Sequence, residues 1–221
     1  MYSILMSKFS EGFSQIKNEL AKMINANAHV VIIPWSFAVE IETKNINDFF
    51  NGIRKDNYLN ALFELGVKNN NIKVLDCYND SKEYMIESIK KSNVLVLIGG
   101  NPEMLYRKVC ESGILETLKN YNGVIIGSSA GAEVQLKKYF ITKKNNYYKK
   151  FEWYDGFGII DNDFYFDVHS INKGRYLPSL KEKSKETKKD IYCLFDTGSI
   201  IYNRSTKKID CYGEFVRFEG K

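Results

Sequence analysis

The sequence has few cysteines, only two histidines, no long apolar run and no block of like charge. Each scarcity narrows what the chain can do. The four cysteines, Cys77, Cys110, Cys193 and Cys211, are widely spaced and form no C-x-x-C pair, which argues against a metal site. Cys77, Cys193 and Cys211 fall in strand-like runs, where a thiol packs as a small apolar group. No metal or organic cofactor is expected. No segment approaches the ~18 consecutive apolar residues of a membrane span. Met1 to Met6 is apolar, but it lacks a basic lead-in and a small-residue cleavage site, and Lys8 and Glu11 interrupt it early. It therefore reads as a strand and not as a signal peptide, and the expected location is the cytoplasm.

Charge is equally uninformative about large anionic partners. The 32 basic residues stand against 27 acidic ones, for a net charge of +5. The densest basic run, Lys181 to Lys189, interleaves Glu and Ser, so it reads as a solvated helix face and not as a nucleic-acid patch. Neither nucleic acid nor membrane is an expected partner, and association into a homodimer is left open.

What the chain does contain is a regular alternation. Its 221 residues, 44% apolar, suit one α/β domain spanning 1–221, and no repeat or linker divides it. Strands are expected at 2–6, 29–34, 72–75, 94–98 and 124–126. Helices are expected along Phe13-Ile16-Leu20-Met23 and at 46–66, 81–91, 103–110 and 114–120. The continuous apolar runs His29–Pro34 and Val94–Ile98 suit strands covered on both faces. This order predicts a three-layer α/β sandwich with a mostly parallel sheet and helices on both sides. Beyond residue 140 the pattern loosens. Residues 143–152 read as a surface loop or hairpin, 164–168 as a strand ending at His169, and Asp196-Thr197-Gly198-Ser199 as a hairpin turn. A last strand is expected near 208–218.

The most informative stretch is Val124-Ile125-Ile126-Gly127-Ser128-Ser129-Ala130-Gly131-Ala132. It is a β-branched strand, then G-x-S-x-G, then a helix start. A nucleophile elbow needs that order: small residues let the chain turn sharply around Ser129, whose Oγ then stands at the carboxyl end of the sheet. A serine nucleophile needs a base, and only two histidines are available. His29 opens a buried strand and reads as structural. His169 ends a strand and precedes the polar loop Ser170–Gly174, which places it at the edge where the elbow presents Ser129. The N–H of Ala130 and the backbone of Gly99-Gly100-Asn101, directly after a strand, are the expected oxyanion donors.

The succession V-L-V-L-I-G-G-N, V-I-I-G-S-S-A-G-A and a strand-end histidine resembles the peptidase E (α-aspartyl dipeptidase) and cyanophycinase family of serine peptidases. H-V-V-I-I-P-W-S and Tyr154–Ile160 extend the resemblance to about residues 2–212. It implies a fold like that of class I glutamine amidotransferases, which is flavodoxin-like, with serine in place of cysteine. It also implies hydrolysis of small peptides next to an aspartyl residue. Ser129 then matches the nucleophile, His169 the base, and Gly99, Gly100 and Ala130 the oxyanion region, with Asn101 beside the substrate.

The sequence also departs from the family's pattern. Pro102 follows G-G-N and brings neither a side-chain donor nor an N–H. Ser170 stands where an aromatic is common. Arg175 is the candidate clamp for a substrate carboxylate, with Lys173 as a weaker substitute. The acid that the family carries soon after its serine is missing from Thr142–Asn146. Glu152 is taken as the orienting acid, with Asp155 and Asp167 as alternatives. The reading is a serine exopeptidase or dipeptidase acting through an acyl-enzyme on Ser129. Its rival is a catalytically degenerate member of the fold that binds a small ligand or a protein. Glutamine amidotransfer would want a cysteine at the elbow, and an α/β-hydrolase would want more chain after His169.

Overall fold

The computed structural model describes residues 1–37, 55–143, 148–161 and 163–221. Strand β1 (Tyr2–Met6) leads into helix α1 (Phe9–Met23), followed by β2 (Val30–Ile33), α2 (Lys55–Glu64) and β3 (Ile72–Val74). Helix α3 (Lys82–Lys91), β4 (Val94–Leu97), α4 (Pro102–Glu111), α5 (Leu115–Lys119), β5 (Val124–Ser128) and the one-turn α6 (Ala130–Glu133) complete the regular half. Then come β6 (Lys138–Ile141), β7 (Glu152–Asp155), β8 (Tyr165–Asp167), α7 (Tyr176–Thr187), β9 (Ile191–Leu194), β10 (Ser199–Asn203), β11 (Ile209–Tyr212) and β12 (Phe215–Phe218).

Seven strands form the main sheet in the order β11-β10-β1-β5-β4-β2-β3. The five from β1 to β3 run parallel, while β10 and β11 add antiparallel pairs at one side. The period-2 alternation of strand side chains divides their residues between two cores. Ile4, Met6, Val30, Ile32, Val94, Val96, Val124 and Ile126 pack with Phe13, Ile16 and Leu20 of α1 and Leu59 and Leu62 of α2. Their neighbours Leu5, Val31, Ile33, Leu95, Leu97 and Ile125 pack on the other face with Met85 and Ile89 of α3, Leu105 and Val109 of α4 and Leu118 of α5. Continuous apolar runs are required because both faces are covered. The expected three-layer α/β architecture is the one found.

The last third differs from the sequence expectation in three ways. Strand β8 does not join the main sheet. It pairs in parallel with β9, which pairs antiparallel with β12, in a separate three-stranded sheet. The turn at Asp196–Ser199 links β9 to β10 in different sheets, so it is a crossing between layers and not a hairpin. The single strand expected near 208–218 is two, β11 and β12, parted at Gly213 (φ +68), where a Cβ would meet the Thr197 carbonyl oxygen at 2.2 Å. The loop or hairpin expected at 143–152 ends in β7, which pairs antiparallel with β6. Residues 144–147, and the 46–54 portion of the expected second helix, lie outside the described residues.

Candidate active site

Strand β5 delivers the chain to Ser129 between two neighbours. Gly127 pairs with Leu5 of β1 and Leu97 of β4. The turn that follows is tight enough to require glycine on either side of the serine. A Cβ at Gly127 would lie 2.1 Å from the Gly131 carbonyl oxygen, and one at Gly131 would lie 2.0 Å from that of Leu97. Ser129 itself sits at φ 49°, ψ −120°, a conformation that L-residues rarely adopt. Its N–H donates to the Met6 carbonyl at 2.9 Å, and its own carbonyl accepts from Ala132 and Glu133 at 2.9 and 3.0 Å. The backbone is therefore held while the half-buried side chain faces the cleft.

His169 reaches that side chain from the smaller sheet, immediately beyond β8. Its Nε2 lies 2.9 Å from Ser129 Oγ. The residue is held at φ 52°, with its backbone N–H donating to Ser7 Oγ at 2.7 Å. The next N–H, that of Ser170, donates to the Leu194 carbonyl at 2.9 Å. On the far side of the ring, Nδ1 faces Asp196 Oδ1 at 3.7 Å and Ser7 Oγ at 3.5 Å. A carboxylate there favours the tautomer with its proton on Nδ1, leaving the Nε2 lone pair for the serine. The other Asp196 oxygen pairs with Lys8 Nζ at 2.6 Å, and this contact holds the ammonium above its usual range.

The residues expected to form an oxyanion region differ in their hydrogen bonds. The N–H groups of Gly100 and Ala130 donate to no group among the described residues. The Gly99 N–H is already taken by the Tyr58 hydroxyl at 3.1 Å. Asn101 serves as the N-cap of α4, its Oδ1 accepting from the Met104 N–H at 2.9 Å. Pro102 occupies the first helical position, where its missing N–H costs nothing. Ser7, Lys8, Phe9, Asn57, Tyr58, Gly99, Gly100, Ser129 and His169 line a cleft of about 500 Å³.

Other expected site residues are not brought together with the serine. Glu152 lies in the β6–β7 hairpin, where Lys150 Nζ approaches at 2.8 Å and the Tyr154 hydroxyl donates at 3.1 Å. The lysine contact pulls its carboxyl below the usual range. Asp155 is exposed at the end of β7. Asp167 is buried and takes hydroxyl donors from Ser170, Tyr176 (2.7 Å) and Thr142 (3.3 Å). Arg175 precedes α7 with its side chain 90% exposed, 3.8 Å from Glu182, and does not line the cleft. The carboxylate beside the histidine is Asp196, and the cation lining the cleft among the described residues is Lys8. Asp196 lies two residues beyond the apolar strand β9, as His169 lies two beyond β8, the same signal that located the histidine. Reading its D-T-G-S context as a hairpin turn concealed it.

The family model of peptidase family S51 matches residues 4–208. The chain belongs to peptidase family S51. Membership makes it a serine peptidase in the coarse sense. The fold of this S51 chain is similar to that of a Listeria monocytogenes EGD-e protein assigned as a peptidase E. That match has 19% identity and a TM-score of 0.63, covering 99% of this chain and 98% of the other. It is also similar to a peptidase from an acI-B1 Actinobacterium, at 15% identity and a TM-score of 0.65, covering 100% and 91%. No curated protein sequence matches the chain. Among the described residues no helix is long and apolar enough to cross a membrane, and no three His, Cys, Asp or Glu side chains gather around a common point.

Proposed function

We propose that the protein hydrolyses small peptides through an acyl-enzyme on Ser129. The observation that carries this reading is the 2.9 Å approach of His169 Nε2 to Ser129 Oγ at the head of the cleft. Ser129 Oγ attacks the scissile carbonyl carbon as His169 accepts its proton. The oxyanion is held by the N–H groups of Gly100 and Ala130. Collapse breaks the C–N bond, and His169 returns the proton to the leaving amine. Water, deprotonated by the same imidazole, then releases the acyl group as a carboxylic acid and restores the serine. Asp196, in place of Glu152, orients His169. Its 3.7 Å gap is of the kind that closes when substrate excludes water.

An aspartyl residue on the acyl side is the preferred substrate class. It is supported by the likeness to peptidase E and by Lys8 as the cation at the cleft, the role first assigned to Arg175. The test is hydrolysis of a dipeptide panel rich in Asp-X, including β-aspartyl members, followed by mass spectrometry with wild type and Ser129→Ala. Cleavage by wild type alone supports the reading, whereas equal cleavage by both contradicts it.

A binding protein on the same scaffold is the second reading. It is favoured by one observation, that Asp196 is closer to Lys8 than to His169. Dipeptide binding by calorimetry that survives Ser129→Ala, without turnover by wild type, would select it.

A further inference from the structure

Around Gly100 the loop after β4 is pinned through the backbone groups on either side of it. The Gly99 carbonyl accepts from Ser36 Oγ at 2.7 Å. The Gly99 N–H donates to the Tyr58 hydroxyl at 3.1 Å, and the Asn101 N–H donates to the Ser36 carbonyl at 2.6 Å. Only the Gly100 N–H, among these, has no partner within the described residues. Ser36 lies just beyond β2 and is fully buried, at 0% exposure.

The peptide unit between Gly99 and Gly100 is planar and trans, so its C=O and N–H point in opposite directions. A hydroxyl that holds the carbonyl on the Ser36 side turns the Gly100 N–H to the other side, where the loop borders the cleft. Two successive glycines would otherwise let this peptide plane rotate at small cost. Gly100 is held at φ 150°, and a Cβ there would meet the Ser36 carbonyl oxygen at 2.5 Å. The loop is also tied to the nucleophile's strand. The Tyr58 hydroxyl that accepts from Gly99 also hydrogen-bonds, at 2.9 Å, with Ser128 Oγ of the residue immediately before Ser129. Gly99 packs against the serine, with a Cβ position only 3.2 Å from Ser129 Cβ.

We propose that Ser36 and Tyr58 are positioning residues of this site: Ser36 aims the Gly100 N–H as a ready oxyanion donor, and Tyr58 fixes its loop against Ser129. The inference rests on the reading of Ser129 as nucleophile and Gly100 as donor. Ser36 lies outside the cleft lining and Tyr58 borders it; in this proposal both act through the backbone of the Gly99–Gly100 loop.

The test uses a fluorophosphonate, which needs no knowledge of the natural peptide. Ser129 Oγ forms a bond to phosphorus, fluoride leaves, and the serine proton passes to His169; the phosphoryl oxygen occupies the oxyanion site. Second-order labelling rates and end-point stoichiometry are measured by intact mass for wild type, Ser36→Ala and Tyr58→Phe, with Ser129→Ala as the blank. Removing a whole oxyanion donor costs roughly 10²–10³-fold, so loss of its aim is expected to slow labelling about tenfold. The end point stays at one label per chain, and the pH of half-maximal rate stays at its wild-type value because His169 is untouched. Wild-type rates in both variants overturn the proposal. So does a lowered end point with an unchanged rate for the labelled fraction, since that reports only misfolding. A folded wild type that takes no label overturns the nucleophile reading itself, and this inference with it.

Discussion

At the residue scale the site turns on which carboxylate serves His169. Asp196 faces Nδ1 at 3.7 Å, while Glu152 is engaged by Lys150 and Tyr154 in the β6–β7 pair. In trypsin-like enzymes, replacing the triad aspartate lowers turnover roughly 10⁴-fold. Here the contact is longer, and the Asp196 side chain is 55% exposed and shared with Lys8. Asp196→Asn is therefore expected to lower kcat roughly 10- to 100-fold, and Glu152→Gln to leave it unchanged. Steady-state kinetics on a dipeptide that wild type cleaves decides between them; the reverse ranking would restore Glu152. Ser129 and His169 were legible in the sequence because each carries a local signal, a strand followed by a glycine-flanked serine or by a polar loop. Asp196 carries one too, but its turn had a sufficient local explanation. Ser7, Lys8, Ser36 and Tyr58 had no chemical signal at all, since their roles arise only when separated segments meet.

At the element scale the elbow depends on close approach of α6 to β4 and β5. Each central strand residue alternates between two cores, which is why the apolar runs predicted the parallel strands so well. The same runs said nothing about which sheet a short strand joins. Three-residue β8 has an apolar character that fits either sheet, and it joins the smaller one. Gly131 shows how narrow the packing is, because an added methyl would lie 2.0 Å from the Leu97 carbonyl oxygen. That neighbour is backbone in a central strand and cannot yield without moving β4. Gly131→Ala is expected to destabilise the fold by about 1–3 kcal/mol or more through overpacking. The urea midpoint measures this. An unshifted midpoint would show that α6 can lift from the sheet.

At the scale of the whole molecule, reactivity and anchoring lie at opposite edges of the sheet. The serine and the Gly99–Gly100 loop stand at the carboxyl ends of β5 and β4, and the histidine is carried in by the smaller sheet. At the amino edge the partly buried Arg204 guanidinium donates to the carbonyls of Tyr121 (2.6 Å) and Gly123, tying the end of β10 to the turn before β5. Burial lowers its pKa to about 10. Arg204→Met removes both bonds and leaves two carbonyls without them, a loss of about 1–3 kcal/mol. Chemical denaturation should show that loss, with the labelling rate of Ser129 per folded molecule unchanged. A slower rate in the folded fraction would mean that the two edges are coupled.

The proposed chemistry requires Ser129 to be an activated nucleophile. The most direct measurement is peptide mapping of wild type after fluorophosphonate treatment, beside His169→Ala and Ser129→Ala. The account predicts one adduct, on Ser129, formed far more slowly in His169→Ala and absent from Ser129→Ala. An adduct on another serine, or none on a protein shown to be folded by circular dichroism, would contradict it.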